Sequence, residues 1–158
     1  MAIYSFWIFD RHCNCIFDRE WTLESSKGTI NSKQNEEVGK LLFGMVYSLK
    51  SIVTRLSHSN TSNNVRTIST SIFKIHILST ASGLNFVFIS DIGSESLSHL
   101  LHYIYQELYV PYVARNYLSP IDFTENDVEE TRGQGTRKIS NPLFVESVEQ
   151  FLQPMVSK

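Results

Sequence analysis

Cysteine is scarce in this chain, with only Cys13 and Cys15 among 158 residues. Side chains two apart in an extended strand point to the same face and suit a bridge poorly, so a disulfide framework is excluded. Structural zinc wants four ligands, usually in paired spacings, and no second pair accompanies His12, Cys13 and Cys15. Reduced, packed thiols in a cytosolic protein are the expectation. Long hydrophobic runs are missing too, and none approaches the ~20 residues that span a bilayer. The start lacks the basic stretch of a signal peptide, and Asp10 and Arg11 interrupt its first apolar run. Met1-Ala2 offers no glycine for myristoylation, and Pro154 to Lys158 contains no prenylation box. Nor is there a basic surplus. A formal charge of -2 and a pI of about 6.2 argue against a dedicated nucleic-acid binder. Membrane contact is expected only through a partner or surface charge.

Catalytic signatures are equally thin. His99 and His102 share one side of a helix, but no glutamate frames them and no third ligand is evident, so they read as half-exposed helix residues. No nucleophile elbow or triad order occurs. Gly133 and Gly135 are separated by one residue, where a phosphate-binding loop needs four followed by Lys-Ser/Thr. That loop reads as a turn positioning Arg137 and Lys138, either structural or facing a partner. No catalytic residue, metal or cofactor is predicted.

What remains is a chain 42% hydrophobic, enough for the core of one domain over residues 1–158. Ile3 to Phe9 is a strand-like run of aromatic and β-branched residues, Asp10-Arg11-His12 breaks it, and Cys13 to Phe17 reads as a returning strand. Thr22 to Ile30 is a polar loop. Asn31 or Ser32 can cap a long helix to about Leu56, with Glu36 and Glu37 in its early turns. Its expected buried stripe is Val38, Leu41, Leu42, Met45, Val46, Leu49, Ile52, Val53 and Leu56. Ser57 to Asn64 is a low-complexity loop. Strands follow at Val65 to Thr70, Ile72 to Ser79 (with Lys74 and His76 on the outer face) and Leu84 to Ser90. A second helix is expected from Ser94 through Leu97, Leu100, Leu101, Ile104 and Leu108, broken or kinked at Pro111. Tyr105, Tyr109 and Tyr112 align on it as a core rim. After an acidic loop, Asp122 to Glu130, Asn141-Pro142 opens a last helix through Val145, Val148, Phe151 and Leu152. The order β-β-α-β-β-β-α-α predicts an α+β fold, a five-stranded antiparallel-type sheet flanked by helices.

The long helix carries a second line of residues, Glu36, Lys40, Phe43, Tyr47, Lys50 and Thr54, beside its core stripe. Apolar groups beyond a core stripe are usually buried against something else. Phe43, Tyr47 and Lys50 are therefore candidate partner-binding residues, with packing under a neighbouring loop the alternative for the two rings.

Four blocks carry a resemblance: Ile3 to Cys15, Asn31 to Glu37, Thr80 to Leu84 and Arg132 to Ile139. In their order they resemble the small sybindin-like subunits of the trafficking protein particle (TRAPP) complex, most closely the subunit 1 branch. The resemblance implies a longin fold. It also implies a non-catalytic core subunit, assembled with other longin subunits and a second family of small α/β subunits. Such a complex tethers vesicles and exchanges guanine nucleotide on a Ypt-type Rab GTPase in ER-to-Golgi transport and autophagy. Its implied location is cytoplasmic, peripheral on cis-Golgi and endoplasmic reticulum membranes. In such assemblies the first helices of two longin subunits help form the platform for the GTPase, a role that maps onto Phe43, Tyr47 and Lys50. The competing classes are the longin small chain of a vesicle-coat adaptor and a SNARE regulatory domain. A SNARE would add a heptad motif and an anchor, and neither is found before Lys158.

Overall fold

Ile3–Phe9 is buried along almost its whole length, which requires a strand covered on both faces. The computed structural model, which describes residues 2–21, 30–31, 35–57, 65–119 and 138–156, places it inside the sheet. Strands β1 (Ile3–Phe9), β2 (Cys15–Glu20), β3 (Thr67–Ser69), β4 (Phe73–Ser79) and β5 (Asn85–Asp91) form one antiparallel sheet in the order β2-β1-β5-β4-β3. Helix α1 (Asn35–Leu56) covers one face. The other face carries α2 (Ser98–Tyr103), its wide-turned continuation Ile104–Ala114, and α3 (Pro142–Leu152). This is the predicted element order, an α+β longin-like arrangement.

The two cores follow from strand alternation. Trp7 and Phe9 meet Leu42, Val46, Ile75, Ile77 and Val87 under α1. Phe6 and Ile8 point the other way, into a larger core with Phe86, Phe88, Leu101, Ile104 and Phe144. Phe6 sits amid three rings, 4.9 Å from Phe88, 5.7 Å from Phe17 and 6.4 Å from Phe86 between centroids. The expected stripe of the second helix is confirmed, since Leu97, Leu100, Leu101, Ile104 and Leu108 are all buried. Tyr109 is buried, with Tyr105 and Tyr112 at its rim. Asn141 caps α3 through its side-chain oxygen, which accepts the Leu143 N–H at 3.1 Å, and Pro142 occupies the first turn as predicted.

Several expectations are corrected. The second strand begins at Cys15, because Asp10 closes a longer turn. Its carboxylate accepts the His12 and Asn14 N–H groups at 2.9 and 2.8 Å, and Cys13 takes a left-handed φ of 68°. Asn31 lies beside β2 with φ of 49°, and α1 is described from Asn35; residues 32–34, on which a cap by Asn31 would act, lie outside the described residues. Ser32 lies outside the described residues, as do residues 22–29, 58–64 and 120–137 of the predicted loops. The second helix starts at Ser98; Ser94 instead donates its N–H to Asp91 O in the turn after β5. Pro111 does not break its helix. Residues 104–114 run in wide turns, with Arg115 N–H reaching back five residues to Val110 O at 2.9 Å. Proline has no N–H to donate in either register, and the wide register relieves the clash of its ring with the carbonyl four residues back.

His76 is the remaining correction. It does oppose Ile75 and Ile77, but the start of α2 covers that face and buries it. Leu97 N–H points at its Nδ1 at 3.5 Å, and its Nε2 lies 3.0 Å from Ser90 Oγ. Burial, then the nearby Lys74, lower its pKa from 6.5. Below pH 6.5 the unfolded chain takes up a proton that the folded chain resists, so stability is lost as pH falls through and below that value. Urea unfolding should show this between pH 7 and 5, and His76→Gln should remove a slope of up to about 1.4 kcal/mol per pH unit. An unchanged slope in the variant would show that His76 is not the group responsible.

Candidate partner interface

Helix α1 has 22 residues, yet only Gly39, Leu42 and Val46 are fully buried in it. Gly39 sets the contact. A Cβ there would lie 3.3 Å from Trp7 Cζ3 and 3.5 Å from Cys15 Cβ, so a small residue lets the helix approach the sheet closely. At about 100° per residue, this contact line runs along one side of the helix and leaves two flanks.

The first flank is apolar and overturns much of the expected buried stripe. Val38, Leu41, Ile52 and Leu56 are exposed, Leu41 by 75% and Leu56 by 72%, with Met45 half-buried between them. Their spacings of three, four and seven residues draw one line along the helix. Nothing among the described residues covers it. Apolar side chains aligned this way on a helix mark an interaction surface far better than scattered ones do.

The second flank holds the residues singled out from the sequence. Phe43 is half-buried and packs on Phe9, with ring centroids 5.5 Å apart. It thus belongs partly to the sheet contact rather than lying wholly outside it. Tyr47 is 66% exposed and stacks on Phe43 at 6.2 Å, in the open rather than beneath a described loop. Lys50 is half-buried. Its ammonium donates to Ser79 Oγ at 2.8 Å and to Asn85 Oδ1 at 3.4 Å, and burial lowers its pKa.

Lys138 is not near this flank's contacts. Its ammonium pairs with the carboxylate of Asp18, a fully buried residue of β2. The other Asp18 oxygen accepts from Asn35 Nδ2 at 3.0 Å, at the start of α1. Asn31 completes the node: its side-chain oxygen accepts the Asp18 N–H at 3.2 Å, and its amide donates to Ile139 O at 2.9 Å. Ile139 N–H in turn donates to Ile16 O at 2.7 Å. The segments before α1 and α3 are thereby fixed to β2. Arg137 lies outside the described residues. Asp18 itself was not anticipated, although an acid directly after Ile16-Phe17 within a strand is a usable signal.

The remaining candidate ligands are dispersed. His99 and His102 are exposed on α2. Cys13 is exposed, while burial pushes the Cys15 thiol up to about 12. Among the described residues no group of three or more His, Cys, Asp or Glu side chains converges to hold a metal ion. No helix among them is long and apolar enough to cross a membrane.

Comparison with known proteins adds to this geometry. A family profile described as Sybindin-like matches residues 3–125. The chain is 58% identical over 160 aligned positions to the Saccharomyces cerevisiae protein named trafficking protein particle complex subunit BET5, covering all of both chains. It is 34% identical to the Schizosaccharomyces pombe transport protein particle subunit bet5, covering 73% of this chain and 78% of that one. It is 32% identical to trafficking protein particle complex subunit 1 of Rattus norvegicus, over 78% of this chain and 83% of the relative.

Proposed function

The chain belongs to the Sybindin-like family, and from that premise we propose that it is a non-catalytic subunit of a TRAPP tethering complex that meets another longin-fold subunit through α1. The observation that carries this reading is the line of exposed Val38, Leu41, Ile52 and Leu56 with half-buried Met45 between them. A helix that spends so little of its apolar surface on its own sheet is suited to a second one. Relatives named as TRAPP subunits, one of them matched along its entire length, support the same assignment. In this reading the paired helices form part of the platform on which a Ypt-type Rab GTPase is held with its nucleotide pocket opened. Exchange of that kind is differential binding to a nucleotide-free state, and it asks no acid, base or metal of this chain. The site of action is then the cytoplasmic surface of cis-Golgi and endoplasmic reticulum membranes, in ER-to-Golgi transport and autophagy. Membrane contact comes through the complex.

The test is purification of the tagged chain from cytosol, with its companions identified by mass spectrometry and assayed for nucleotide exchange on a Ypt-type GTPase. A stable set of small TRAPP subunits with exchange activity is expected. Recovery of large coat-adaptor chains instead would overturn the assignment and leave the fold standing.

A further inference from the structure

Lys50 is held in a way that a purely structural lysine does not need. Ser79 and Asn85 face each other across the last register pair of the β4–β5 hairpin, and Ser79 Oγ already donates to Asn85 Oδ1 at 2.7 Å. The two side chains thus satisfy one another, and the ammonium is added to them from α1. Among the described residues Lys50 makes no ion pair, whereas Lys138 has Asp18 and Arg19 has Glu149 at 2.8 Å. Half-burying a cation against neutral oxygens costs free energy that only a negative charge returns in full. The cation is also immobilised in advance, which reduces what a ligand would lose by ordering it. One turn earlier on the same flank, the exposed Tyr47 ring offers a flat apolar surface that a docking protein can cover.

We propose that Lys50 is the anchor for a carboxylate presented by the protein surface that docks on this flank of α1, with Tyr47 as the ring that the same surface covers. This rests on α1 being the assembly face. A protein carboxylate fits better than a lipid phosphate. Headgroup recognition uses clusters of about four to eight basic residues, and here one ammonium is recessed against Ser79 and Asn85.

Carbodiimide joins amines directly to carboxylates in contact, so it reads this chemistry in the purified assembly of the full chain. Lys50 should be found linked to an Asp or Glu of a companion subunit or of the bound GTPase. Lys50→Met should weaken association with that companion by about 30-fold, more at low salt than at high, while Lys50→Arg retains most of the affinity. Thermal unfolding of Lys50→Met close to wild type is expected, because Ser79 and Asn85 keep each other. Cross-links at other lysines with none from Lys50 to a companion would overturn the proposal, as would undiminished association of Lys50→Met. Loss of binding to phosphatidylserine vesicles in place of companion binding would make the occupant a membrane and equally overturn it. If the wild-type chain captures no companion at all, the assembly reading fails and this inference with it. If capture is normal and only the Lys50 results are negative, this inference alone fails.

Discussion

Replacing Lys138 with Met should lower the stability of the fold by about 3–5 kcal/mol, the usual result of removing one member of a buried ion pair. Asp18 is fully buried in β2, and Lys138 is its cationic partner. Methionine fills much the same space but leaves the carboxylate without that charge, in a place where water replaces it poorly. Natural domains have about 5–15 kcal/mol in total, so the loss is a large fraction of it. For a chain of this length it corresponds to a fall in Tm on the order of 10 °C. The companion variant Asp18→Asn with Lys138→Met removes both charges and keeps a side-chain oxygen for the Asn35 amide. It should recover most of the loss. Urea and thermal unfolding by circular dichroism decide the matter. If Lys138→Met matches wild type, the node does not depend on this pair. If the double variant is as poor as the single one, the cost is steric rather than electrostatic.

That node also shows where sequence reasoning stops. Lys138 is 120 residues from Asp18, and no periodic pattern connects them. Local patterns did expose most of the elements. The aromatic and β-branched run from Ile3 to Phe9 marks an interior strand, the stripe from Leu97 to Leu108 marks the second helix, and Asn141-Pro142 marks the start of α3. Errors arose where one local signal admitted two tertiary outcomes. Alternation correctly set His76 against Ile75 and Ile77, but whether the opposite face meets water depends on α2, which comes more than twenty residues later. An α-helical register predicts a kink or break at Pro111, whereas the wide register carries the helix through it. The placement of α1 failed for a simpler reason. Its apolar residues occupy so wide an arc that hydrophobicity alone cannot say which part meets the sheet. Gly39 was the informative residue, since the smallest side chain belongs where two backbones come closest.

With that phase settled, the candidate interface can be separated from the core experimentally. Leu41→Asp combined with Ile52→Asp should leave the isolated chain folded and abolish its assembly with companion subunits. Both side chains are exposed, so their loss removes little from the core, and the cost is mainly aspartate's poorer helix propensity, about 0.5 kcal/mol per site. In an assembled interface each would contribute about 1.5–3 kcal/mol by burial. Placing an unpaired carboxylate there adds a desolvation penalty in the same direction. Together these predict a loss of association on the order of 1,000-fold or more. Phe43→Ala is a weaker probe, because its contact with Phe9 ties it to the fold, and any assembly defect would be mixed with lost stability. Tyr47→Ala tests the opposite flank with little effect on folding and should cost less in assembly than the double aspartate. The combination is decisive when unfolding midpoints and co-purification are measured on the same samples. A double variant that folds and still recovers its companions at wild-type yield would remove the apolar line of α1 as the assembly face.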